Sequence, residues 1–105
     1  MIVRIWFGWT TPENADLYEG LLRAEIFPGI LARKVPGFRS IELLRREAGD
    51  EVEFATIMRF DSFEAVKAFS GEDYEAAVVP PKARAVLKRF DARSRHFDAV
   101  TALDA

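Results

Sequence analysis

The chain has no cysteine and only one histidine. Without thiols it can form no disulfide, no thiolate metal site and no cysteine nucleophile. A lone histidine, His96, cannot build a zinc cluster, so no metal is expected. No segment approaches the ~20 apolar residues that span a bilayer. The apolar start MIVRIWFGW has neither a basic leader nor a small-residue cleavage site, and a cytoplasmic protein is the expectation. Neither sign of charge dominates: 15 Lys and Arg face 17 Asp and Glu, for a net charge of −2. No global field therefore favours nucleic acid or an anionic membrane surface. Glycine-rich phosphate loops, Ser-x-Gly elbows and acidic metal loops are missing too. There is no internal repeat and no low-complexity linker.

What the chain does have is aromatic mass. Nine Phe, two Trp and two Tyr in 105 residues exceed what so small a core needs, which invites a subunit interface or a ligand cavity. The length corresponds to one domain. We expect it over residues 1–100, with 101–105 as a loose tail.

Alternation predicts a strand over residues 1–9. Met1, Val3, Ile5, Phe7 and Trp9 share one face; Ile2, Arg4, Trp6 and Gly8 share the other. Thr11 and Pro12 open a helix whose buried stripe is Leu17, Leu21 and Ala24 with Tyr18 and Leu22 beside them, and Pro28-Gly29 should break or kink it. Strands over 38–48 and 51–60 form a hairpin around Gly49-Asp50. A second helix follows, capped by Asp61 with Glu64, pointing Phe63, Val66 and Phe69 inward and closing at Gly71. A helical turn before Pro80-Pro81 and a short helix over 81–90 lead into a last strand over 90–100.

The order β-α-β-β-α-β is that of a ferredoxin-like α+β fold, with helices on one face of a four-stranded antiparallel sheet. The first strand's wholly apolar face is assigned to the helices. The other sheet face then carries Trp6, Leu43 or Leu44, Ile57 and Phe97 among charges. An open apolar face of that size is best hidden against a second copy, so a two-fold homodimer including Trp6 and Phe97 is expected.

MIVRIWFGWT, PGFRSIELLRREAGDEVEFATIMRFDSFEAVKAFSG and RHFDAV together resemble the antibiotic biosynthesis monooxygenase-like family of the dimeric α/β-barrel superfamily. The resemblance spans about residues 1–100 and implies a dimeric α/β barrel with a ligand cavity between helices and sheet in each subunit. In that family the first strand often offers Asn or His to the cavity, where this chain has Phe7. A Trp often ends the third strand, where this chain has Phe60 in FDSFEA. The histidine of haem-degrading members has no counterpart in YEAAVVPP. The resemblance therefore implies cofactor-independent oxidation of a phenolic or polyketide-like molecule, with no cofactor and no haem. The same scaffold also hosts non-catalytic binding and stress-response proteins.

Within that frame His96 is the candidate base, since it is the side chain that exchanges protons near neutral pH unaided. Parity places it on the helix side of the last strand with Ser94. Phe7, Trp9, Thr56, Phe60 and Ser94 are the expected cavity lining, with Tyr18 and Tyr74 as further polar groups. The basic run KARAVLKRFDARSRH holds six Lys and Arg against one Asp. Salt bridges across a dimer sheet are its expected use, with no nucleic acid and no membrane as partner.

Overall fold

The computed structural model describes residues 1–105. Strand β1 (Ile2–Thr10) ends where Pro12 begins α1 (Pro12–Leu21). A proline ring presets helical φ and its missing N–H costs nothing at a first turn. The helix then passes through one wider π turn at Leu22–Ile26 into α2 (Phe27–Ala32). In that turn the Phe27 N–H reaches back to the Leu22 carbonyl. Pro28 has no N–H to donate, and the wider turn absorbs the lost bond, so the expected break is a change of pitch. The buried positions are Ala15, Tyr18 and Leu22, whereas Leu17 and Ala24 are exposed. Of the expected stripe, Tyr18 and Leu22 are thus the buried members and Leu21 is half-buried.

Strands β2 (Phe38–Ala48) and β3 (Glu51–Phe60) form the predicted hairpin, with Gly49 at φ +71° in its turn. Helix α3 (Phe63–Ser70) is capped by Ser62, whose Oγ accepts from the Ala65 N–H at 3.3 Å. Asp61, the expected cap, instead pairs with Arg39. After α3 the chain runs irregularly to α4 (Pro81–Val86).

The last strand comes in two pieces, β4 (Arg89–Phe90) and β5 (Arg95–Asp98), both antiparallel to β1. Between the pairs Gly8–Phe90 and Ile5–Arg95, three steps along β1 face five along the last strand. The two extra residues bulge toward the coil before α4. There Ala76 bridges Arg93, and the Ser94 N–H donates to the Glu75 carbonyl. An even insertion preserves parity, so Phe90 and His96 stay on one side of the sheet.

The sheet runs β2-β3-β1-β4, with β5 continuing alongside β1, and it is not closed within one chain. Helices cover one face only. Ile2, Arg4, Gly8 and Thr10 of β1 and Val52, Phe54, Met58 and Phe60 of β3 are sequestered against them, while Trp6 is half-buried. This reverses the assignment of β1. The face with Val3, Ile5, Phe7 and Trp9 is the open one, and Trp6 looks toward the helices. The core divides into two clusters. One joins Ile2, Met58 and Phe60 to α3 through Val66 and Phe69; the other joins Val52 and Phe54 to Tyr18, Leu22 and Ala83. No helix is long and apolar enough to cross a membrane.

Candidate functional site

A cavity lies where the two core clusters fail to merge. Met58 and Phe69 close it on one side, and Tyr18, Leu22 and Ala83 on the other. Its floor is the sheet, through Arg4, Trp6 and Thr56. Its outer wall is the irregular stretch Val78, Val79 and Pro80. The centre of a water molecule has about 60 Å³ in which to move, room for about four to six waters or the bulk of a small aromatic ring system. Of 16 lining residues 12 are hydrophobic, so polar atoms are few and their placement decides what the cavity can hold.

Arg4 dominates that placement. It is 3% exposed and the only buried charged residue of the chain. Its Nη1 donates to the Tyr74 carbonyl and, at 3.0 Å, to His96 Nε2; its Nη2 donates to the Ala76 carbonyl at 3.1 Å. No carboxylate lies within ion-pairing distance of Arg4, whereas seven other arginines are paired. Burial lowers its pKa to about 10, so it remains a cation at neutral pH. Beside it on the cavity wall Ser94 is 3% exposed, and its Oγ has no hydrogen-bond partner. Trp6 is anchored by its indole N–H on the Asp91 carbonyl at 2.7 Å, leaving the ring face as wall. Burial pushes the Tyr18 hydroxyl well above its ordinary pKa, so it stays a neutral phenol.

The expected site residues divide three ways. Thr56 and Ser94 do line the cavity. Phe7 and Trp9 do not: they lie on the open sheet face, their rings stacked 6.4 Å apart, with the Arg89 guanidinium 3.8 Å from the Trp9 ring. Phe60 is fully buried between Phe38 and Phe69 and belongs to the packed core. His96 is on the helix side, as parity required, but it sits behind the cavity wall between Tyr74 and Phe63. Its Nε2 accepts from Arg4, and its buried Nδ1 has no partner. Desolvation first, then the Arg4 charge, lowers its pKa. Within the chain, Arg93 of the basic run pairs with Asp73 and Glu75.

Arg4 and Trp6 are the residues that sequence reasoning put elsewhere. A lone arginine inside IVRIW was a usable signal, since a cation in the middle of an apolar strand is either solvated or held by specific acceptors. No group of three or more His, Cys, Asp or Glu could hold a metal ion.

No family model matches this chain, and no curated protein does. Solved structures do. An antibiotic biosynthesis monooxygenase superposes with a TM-score of 0.65 at 21% identity, covering 96% of this chain and 100% of its own. MhuD with two manganese protoporphyrin IX molecules per active site gives 0.64 at 20% identity, with 100% of both chains covered. The monooxygenase ActVA-Orf6 of Streptomyces coelicolor, in complex with nanaomycin D, gives 0.63 at 17% identity over 99% of this chain and 91% of its own. The chain thus has the α+β fold of antibiotic biosynthesis monooxygenase-type proteins.

Proposed function

We propose that this protein binds a small, flat, mostly apolar molecule between its helices and its sheet, and that it promotes the cofactor-free oxidation of that molecule by oxygen. The observation that carries the reading is the cavity itself: half-enclosed, apolar, and provided with polar atoms chiefly through Arg4, Ser94, Thr56 and Tyr18. Two solved structures of the same fold hold flat ligands, a manganese porphyrin and nanaomycin D. A porphyrin does not fit here. The space is too small, and the coil over Tyr74–Pro81 that walls it contains no histidine.

A phenolic ring can itself reduce oxygen. One oxygen atom enters the ring to give a quinone, the other leaves as water, and the substrate supplies all the electrons. The protein's share is to exclude water, hold the ring in one orientation and stabilise negative charge as it builds on the ring oxygen. Trp6 and Met58 supply flat and apolar contact, and Arg4 supplies positive charge. His96, read from the sequence as the base, stands behind Arg4 and acts here by positioning its guanidinium.

Titration with small polyphenols, followed by Trp fluorescence and an oxygen electrode, tests the reading. Trp9→Phe leaves Trp6 as the single reporter. Saturable quenching with oxygen consumed and quinone formed is the expected result; no quenching would remove the reading. A second reading, sequestration without turnover, rests on the wall's lack of any carboxylate or imidazole. It would show as quenching with no oxygen uptake.

A further inference from the structure

We infer that the ligand carries an ionised oxygen, carboxylate or phenolate, and that Arg4 is its counter-ion, with Ser94 as a hydrogen-bond donor to the same group. The inference rests on the proposed small-molecule cavity and names the class of molecule that enters it.

Arg4 is a buried cation with no anionic partner. Its three acceptors, two carbonyl oxygens and an imidazole nitrogen, are all neutral. They satisfy hydrogen bonds but leave the charge uncompensated in an apolar surrounding, which is costly. A guanidinium has five N–H donors. Three are used by these acceptors, and the side chain lines the cavity. The guanidinium therefore holds the coil at Tyr74 and Ala76 and keeps two N–H donors without a protein acceptor. Ser94 supplies independent support: a buried hydroxyl on the same wall with no partner in the protein. A neutral ligand would complete the hydroxyl's hydrogen bond and leave the cation uncompensated. An oxyanion on a one- or two-ring apolar body answers both, and it matches the space available.

Calorimetric titration with naphthoate and with naphthamide separates charge from shape, because the pair share the ring system and differ in ionisation. The wild-type protein should bind naphthoate at least about tenfold more tightly. Arg4→Gln should bring the two affinities together, and Ser94→Ala should weaken naphthoate binding by a smaller factor. Arg4 also ties down the coil, so its replacement can unfold the chain. The wild-type preference is read without any variant and decides the matter alone. Equal binding of the two, or tighter binding of the amide, overturns the inference and leaves the cavity reading intact. Binding of neither overturns the cavity reading and this inference with it.

Discussion

Arg4 and His96 share one hydrogen bond, and that bond dictates the charge on the imidazole. A guanidinium only donates, so Nε2 must present its lone pair and the proton of the neutral ring sits on Nδ1. A second proton would set two donors face to face. The surroundings agree in sign: desolvation and Arg4 depress the pKa below 6.5, and Glu75 opposes them more weakly. Tyr74, the other titratable neighbour, packs edge-on against the ring. For a base whose folded pKa is depressed, the unfolded chain takes up the proton first. Stability is therefore complete above about pH 6.5 and falls as the pH drops from there toward the folded value. Melting temperature measured from about pH 7.5 to about pH 5 should show this slope. His96→Gln keeps an acceptor for Arg4 and cannot titrate, so its profile should be flatter. Identical slopes in the two proteins would mean that other groups control the acid side.

At the scale of elements, legibility followed the locality of the interactions. The hairpin was readable because its turn, alternation and bounds are all local: Gly49 takes φ +71° and every residue of β3 keeps its predicted face. Strand β1 was misread for the opposite reason. Its odd face is the more hydrophobic, yet its even face is buried, because Arg4 and Trp6 find backbone carbonyls at Tyr74, Ala76 and Asp91, all more than 65 residues away. No local pattern announces such acceptors. The inverted strand carried Phe7 and Trp9 into the expected cavity and Trp6 out of it, whereas Thr56, on the correctly phased β3, and Ser94, in the bulge before β5, do line the cavity. One glycine shows how tightly the covering layer is set. Gly37 has φ +82°, and a Cβ there would lie 2.7 Å from the Cβ of Ala65 in α3. Its carbonyl also accepts from the Asp61 N–H at 2.8 Å, tying β2 to the start of α3. Gly37→Ala should cost about 1–3 kcal/mol, a fall of roughly 10 °C in melting temperature. Gly20, in α1 with nothing within 4 Å of a Cβ, is the contrast, and Gly20→Ala should stabilise by about 0.5–1 kcal/mol. Equal responses at the two positions would show that strain and close approach at Gly37 do not matter.

For the whole molecule, the unresolved demand is the uncovered face of the sheet. Leu44 is 46% exposed and Phe97 52% exposed. Between them the half-buried Val3, Ile5, Phe7, Trp9 and Ile57 complete an apolar surface crossing β2, β3, β1 and β5. Charges lie over and around it: Arg95 reaches over Phe7, Arg89 over Trp9, and Arg46 pairs with Glu53 beside Trp9. Guanidinium groups stacked on rings shield this surface from water only in part. A self-complementary two-fold contact would bury it, bringing one protomer's face against the same face of its partner. We propose that homodimer, with Phe97 in it as the sequence suggested and Trp9 in place of Trp6. Light scattering at micromolar concentration should then report about twice 11.9 kDa. Leu44→Asp with Phe97→Asp sets like charges into the contact and should yield the monomer. Both residues point away from the helices, so circular dichroism should show the fold retained. Trp9 emission should shift to the red on dissociation while Trp6, on the other side of the sheet, holds its environment. A monomeric wild-type protein at the same concentration would leave the open face without this occupant.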